Sequence, residues 1–207
     1  MAIHPARYPA RLDVDYPQKL DRLTTFFRPI LVIPIGIILI LLPASLGISI
    51  QLGETIGNSG SAIAIATALM IVFRQRYPRW WFDFARELVR FTARIGAYLF
   101  LLTDQYPSTV DEQSVHLEID YPDAKRDLNR WLPLVKWFLA IPHYIVLAVL
   151  GIIALFAVVF AWFAILITGR YPRALFDFVV GVDRWRLRVM AYAFLLVTDL
   201  YPPFSLS

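Results

Sequence analysis

Few ionisable side chains lie inside or beside apolar sequence, so the residues with chemistry to offer are quickly named: His143, Lys136 and Arg28. His143 stands at the mouth of a long apolar run, in Trp137-Phe138-Leu139-Ala140-Ile141-Pro142-His143-Tyr144. A histidine in that position is a proton relay, a haem or pigment ligand, or a hydrogen-bonded residue at the membrane interface. His4 and His116 are far from it in sequence, so spacing alone gives no metal-ligating cluster. The chain has no cysteine, which excludes disulfides, thiol catalysis and Cys-ligated metals. Glycine-rich phosphate loops, Gly-x-Ser-x-Gly and His-Glu-x-x-His are missing as well. The paired acids Asp104 and Asp199 fall at helix ends, where capping accounts for them. The expectation is therefore a protein that is not an enzyme, with no catalytic residue, metal or cofactor; His143 is the one candidate ligand.

Lys136 and Arg28 sit near the starts of two apolar runs, close enough to an end to snorkel. Their expected partners are headgroup phosphates, or Asp21 and Asp127 one or two turns earlier. Arginines supply the rest of the charge chemistry, seventeen of them against three lysines in a net charge of +4. From Pro78 to Leu102, polar residues fall at Arg79, Asp83, Arg86, Glu87, Arg90 and Arg94, drawing one stripe down a helix. Arg173, Asp177, Arg184 and Arg188 repeat the stripe more weakly. A helix with an arginine stripe and an aromatic body suits the headgroup layer.

The expected contacts with anionic lipid headgroups or a partner are thus Arg76, Arg79, Arg86, Arg90, Arg94, Lys136, Arg170, Arg173, Arg184 and Arg188. Tyr77, Trp80, Trp81, Trp131, Trp137, Tyr171 and Trp185 are the expected interface anchors. Tyr-Pro occurs seven times and marks changes of chain direction at the surface. Because the arginines flank apolar runs and form no separate basic domain, nucleic acid is not an expected partner.

The elements that must position these residues are unusually apolar. Hydrophobic residues make up 58% of the chain and charged ones 17%, against roughly 45–50% and about 25% in soluble domains. Phe26–Ile50, Ile56–Phe73 and Trp131–Thr168 are nearly free of charge, and about 20 helical residues cross a bilayer core. The polar, proline-punctuated residues 1–25 contain no continuous apolar stretch of the kind a signal peptide needs, so the N-terminus is expected to be retained.

A tandem repeat organises the chain. Arg11-Leu12-Asp13-Val14-Asp15-Tyr16-Pro17 returns as His116-Leu117-Glu118-Ile119-Asp120-Tyr121-Pro122, and Arg76-Tyr77-Pro78-Arg79 as Arg170-Tyr171-Pro172-Arg173. Phe82-Asp83-Phe84 returns as Phe176-Asp177-Phe178, and the ending Leu101-Leu102-Thr103-Asp104-Gln105-Tyr106-Pro107 as Leu195-Leu196-Val197-Thr198-Asp199-Leu200-Tyr201-Pro202, with one residue inserted. A tail at 1–10 precedes repeat 1 at 11–107; a linker at 108–115 leads to repeat 2 at 116–207.

The fold expected is an all-α membrane protein of two tandem repeats. Each is a transmembrane helical hairpin followed by an interfacial amphipathic helix and preceded by a short β-strand. In repeat 1 these are a strand at 11–16, membrane helices at about 26–50 and 61–75, and an amphipathic helix at about 78–102. Repeat 2 has a strand at 115–121, membrane helices at about 131–150 and 152–169, and an amphipathic helix at about 172–198. Arginine and lysine flank both sides of each hairpin while the polar loop 51–61 has neither, which predicts four crossings with both termini cytoplasmic. The competing topology is one long helix from about Pro142 to Thr168, led in by Trp131–Ile141. The polar positions found between Pro29–Ile48 and Tyr144–Ile167 reduce to Ser45, a poor lining for a conduction path.

One resemblance adds to this. Trp131…Lys136-Trp137-Phe138-Leu139-Ala140-Ile141-Pro142-His143-Tyr144, Thr168-Gly169-Arg170-Tyr171-Pro172-Arg173…Phe176-Asp177-Phe178 and Thr198-Asp199…Tyr201-Pro202-Pro203-Phe204 resemble the bacterial membrane family known as domain of unknown function number 4389. The first copy is a more divergent relative that lacks Ile-Pro-His-Tyr. The resemblance implies a small multi-spanning protein of the bacterial inner membrane and brings no activity, ligand or catalytic residue. The expected role is a non-catalytic accessory or structural subunit, in contact with lipids and with other integral membrane proteins or copies of itself. The alternative is a lipid- or ion-handling channel or scramblase at the interface of the two repeats.

Overall fold

The computed structural model describes residues 8–34, 37 and 55–207. His4, the tail before Tyr8, most of the expected helix at 26–50, Ser45 and the first four residues of the loop 51–61 lie outside the described residues. Six helices and one two-stranded sheet are described. They are β1 (Ala10–Val14), α1 (Arg22–Leu31), α2 (Thr55–Arg74), α3 (Arg79–Leu99), β2 (Val115–Ile119), α4 (Pro133–Leu139), α5 (Ile141–Thr168) and α6 (Arg173–Ala193).

The two strands alternate apolar and charged residues, and each buries its apolar side. They pair antiparallel with Leu12 opposite Leu117 and Ala10 opposite Ile119. Leu12 and Leu117 are also equivalent in the repeat, so a local two-fold axis passes between them. That axis relates the remaining elements in a reciprocal way. Arg184 on α6 of the second copy donates to the Leu12 carbonyl of the first at 2.9 Å, and Arg90 on α3 reaches the Leu117 carbonyl of the second at 3.4 Å. Tyr16 Oη donates to the Tyr171 carbonyl at 2.5 Å, and Tyr121 Oη to that of Tyr77. Each copy's strand thus packs on the other copy's amphipathic helix.

The helices interlock likewise. Trp162 on α5 donates to the Thr25 carbonyl of α1 at 3.1 Å, while Arg130, just before α4, donates to the Val72 carbonyl of α2. Even the backbone irregularities are duplicated: Leu101 and Leu196 both take positive φ, as do Gln75 and its counterpart Gly169. Gly169 caps α5 in the left-handed conformation, which a glycine adopts without steric cost.

The hairpin expected at about 131–150 and 152–169 is not formed. The chain breaks at Ala140 instead and then runs as one continuous 28-residue helix through Gly151, about 42 Å long. Pro142 has no N–H to continue α4, and this sets the break. Gly151 disfavours helix by only about 1 kcal/mol, and Leu150-Gly151-Ile152 has no polar group to satisfy a turn in apolar surroundings. Of the described helices, α5 alone is long and apolar enough to cross a membrane.

Candidate functional site

The side chains with most chemical potential gather into two equivalent clusters. In the first, Arg28 on α1 is 2% exposed. It pairs with Asp104, just past α3, donates to the Tyr98 carbonyl at 2.8 Å and lies 4.5 Å from the centre of the Tyr98 ring. In the second, Lys136 on α4 is fully buried. It pairs with Asp199 at 2.7 Å, donates to the Thr198 carbonyl at 2.7 Å and lies 5.2 Å from the Tyr192 ring centre. Tyr106 closes the first cluster edge-on against Tyr98, and Tyr201 closes the second against Tyr192, each with centroids 5.7 Å apart.

Each acid also holds the backbone in front of the cation's helix. Asp104 accepts from the Asp21 N–H at 2.7 Å and Asp199 from the Asn129 N–H at 2.5 Å. A buried cation whose carboxylate, carbonyl and aromatic neighbours are all supplied by the chain is a clamp. It fixes the helix carrying the cation to the end of the amphipathic helix of the same copy.

This differs from the expected pairing with Asp21 and Asp127. Asp21 instead caps α1 by accepting from Leu23 N–H, and Asp127 accepts from Asp123 N–H. The signal was present in the repeat: a cation at 28 and 136 and an acid at 104 and 199 are the same pair written twice.

His143 is fully buried beside the second cluster. Trp185 Nε1 lies 3.0 Å from His143 Nδ1, and since indole N–H is only a donor, Nδ1 must accept. The neutral ring then carries its proton on Nε2, which has no hydrogen-bond partner among the described residues. Ligation through Nε2 would move that proton to Nδ1 and break the Trp185 bond. Phe204 stacks on the imidazole with centroids 4.0 Å apart. The arrangement fits a packed structural histidine and not a haem or pigment ligand.

Most of the expected headgroup contacts have partners within the chain. Arg86 pairs with Asp83 and Glu87, Arg90 with Glu87, Arg173 with Asp177 and Arg184 with Asp13. Arg94 and Arg188 are buried and donate to the Ser108 and Ser205 carbonyls, and Lys136 forms its clamp. Arg79 lies over the Tyr121 ring; Arg76 and Arg170 remain exposed. Among the expected anchors, Trp80, Trp131 and Trp137 are exposed, whereas Tyr77, Tyr171 and Trp185 are core residues. Trp81 is partly buried and donates to Thr67 Oγ1 at 2.8 Å. Of the stripe arginines, Arg90 and Arg184 reach the paired strands, a contact that sequence periodicity cannot distinguish from headgroups.

An apolar groove of about 330 Å³ lies between the copies, lined by Thr25 and Arg28 of α1, Val32 just past it, Leu99 and Leu101, and Val158, Val159 and Trp162 of α5. The described residues contain no group of three or more metal-ligating side chains.

The family described as Domain of unknown function (DUF4389) matches residues 60–110 and 131–205. The chain belongs to this family. One matched stretch falls on each copy, consistent with two tandem DUF4389 units, and the clamp residues Asp104, Lys136 and Asp199 fall inside the match while Arg28 precedes it. No curated protein and no solved structure matches the chain.

Asp183 on α6 is a second kind of buried acid. It pairs with Arg186 at 3.3 Å; burial pushes its carboxyl above the ordinary aspartate range, and Arg186 only partly opposes this. A carboxyl raised in the folded chain contributes stability below its unfolded value, and that stability is lost as the pH rises through the folded value. Asp183→Asn is therefore expected to raise the melting temperature at neutral pH by a few degrees. The gain should shrink toward pH 4, which melting curves across that range would check.

Proposed function

We propose that the chain is a non-catalytic integral membrane protein of the bacterial inner membrane, an accessory or structural subunit in contact with lipids and partner membrane proteins. The apolar surface carries this reading. Helix α5 has no charged residue along its 28 residues and leaves most of its apolar side chains exposed, and exposed aromatic and aliphatic residues continue over α1 and α4. Contiguous apolar surface on this scale marks a membrane or protein interface. The interior supports a structural role, because Arg28, Lys136 and His143 are spent on holding helices together. Native mass spectrometry after gentle solubilisation is expected to find the chain with co-purifying polypeptides or further copies of itself. Recovery as a lipid-free, partner-free monomer would overturn the proposal.

A second reading, a lipid- or ion-handling path between the repeats, draws support from the groove beside Arg28, since it lies between the two copies. Flux in proteoliposomes above empty controls would favour it.

A further inference from the structure

Helix α5 is long enough to cross a bilayer, yet what runs beside it is not fit for hydrocarbon. At its start, the His143 ring packs 4.8 Å from the Tyr201 ring, and the neighbouring Leu200 carbonyl lies 3.4 Å from Tyr8 Oη, which also donates to the Arg188 carbonyl at 3.1 Å. At its end, the Gly169 carbonyl accepts from Leu20 N–H at 3.0 Å. The segment from Tyr8 to Leu20 is thus tied to both ends of the helix. A chain of that length reaches at most about 40 Å when fully extended, close to the length of the helix itself.

That segment contains β1, and its paired strand lies with it. Their charged side chains face out: Asp13, Asp15 and Glu118 are 69%, 68% and 66% exposed. If α5 stood across the membrane, these acids and the open edges of a two-stranded sheet would lie at hydrocarbon depth. Charged side chains there are strongly disfavoured, and lipid-exposed sheet edges are not tolerated.

We propose that α5 lies in the membrane plane, with its apolar side sunk into a single leaflet and the strand layer facing water. The distribution of cations fits a leaflet on this side. Arg22, Arg74, Arg76, Arg130 and Arg170 have no carboxylate partner among the described residues, and all stand at ends of the apolar helices. Arg22 Nε approaches to 3.6 Å of where a Cβ on Gly169 would lie, placing it beside Arg170. Arg130 sits by the two-fold operation against Val72 and Phe73, next to Arg74. These two equivalent groups rim the apolar surface, where lipid phosphates would meet them. The local two-fold axis then runs along the membrane normal, and both groups meet the same headgroup layer.

This placement rests on the membrane reading above, and the absence of cysteine makes it directly testable on the full chain. Val149, Phe156 and Phe163 are each about half exposed along one stripe of α5. Val149→Cys, Phe156→Cys and Phe163→Cys, spin-labelled in vesicles of phosphatidylethanolamine and phosphatidylglycerol, are expected to report equal depths within one leaflet. A crossing helix would place 149 and 163 on the order of 10 Å from 156 along the normal, and that profile overturns the proposal. In sealed vesicles, Asp127→Cys and Ala174→Cys are expected to react with an impermeant maleimide from the same side; labelling from opposite sides also overturns it. Release of the unmodified protein into the aqueous fraction on carbonate washing would overturn both this placement and the membrane reading, whereas a crossing profile overturns the placement alone.

Discussion

Asp199→Asn is expected to cost the folded chain about 3–5 kcal/mol, the range for removing one partner of a buried ion pair. Lys136 has no exposure to solvent, so once the carboxylate is gone its ammonium keeps the Thr198 carbonyl and the Tyr192 ring but no counter-charge. Lys136→Met should cost less by itself, because methionine fills the apolar stem's volume and leaves behind an acid that is partly exposed. The double variant Lys136→Met with Asp199→Asn is expected to recover most of the loss, since the asparagine oxygen can still accept from Asn129 N–H. Thermal unfolding of the four proteins in one mild detergent gives the coupling energy directly. If Asp199→Asn lies within about 1 kcal/mol of the parent, the pair is no clamp. Arg28 and Asp104 should behave in the same sense, for the second cluster repeats the first in every contact that matters.

The second large effect concerns the covalent link between copies. A protease site placed at Asp111-Glu112, in the exposed linker, should be cleavable with little change in melting temperature, while neither half expressed alone should fold. Each half supplies the strand that the other half's amphipathic helix packs against. An isolated half would hold one unpaired strand, and even a two-stranded unit is marginal without a partner surface. The six hydrogen bonds between the copies made by Arg184, Arg90, Tyr16, Tyr121, Trp162 and Arg130 would be lost together, at about 1 kcal/mol each. Co-expression of the halves should restore a complex that survives size-exclusion chromatography. A soluble, cooperatively melting single half would contradict the interlocked arrangement.

Much of this architecture is readable from residue order. The strands follow from Leu12-Asp13-Val14 and Leu117-Glu118-Ile119, whose period of two leaves one apolar side to bury. The amphipathic helices follow from stripes of period 3.6 between a Tyr-Pro and a Thr-Asp, and the structure keeps them within a few residues at Arg79–Leu99 and Arg173–Ala193. The repeat follows from motif order alone. It also carries the family relationship, since the match falls on both copies.

Three matters were decided only by tertiary structure. Whether Trp131–Thr168 turns at Gly151 or runs on depends on what surrounds it, and counting arginines on either side says nothing about the cost of opening a helix in apolar surroundings. The partners of Arg28 and Lys136 lie 76 and 63 residues away, beyond any local pattern; the repeat announced that such pairs exist without saying which acid meets which cation. Arg90 and Arg184 read as part of a lipid-facing edge because a strand from the other copy offers them the same chemistry as a phosphate layer. Periodicity reports which residues share a face, an intrinsic property of the helix. What that face meets is a property of the assembled chain, and here the assembled chain sets Arg90 and Arg184 against the other copy's strand and turns its greasiest helix out.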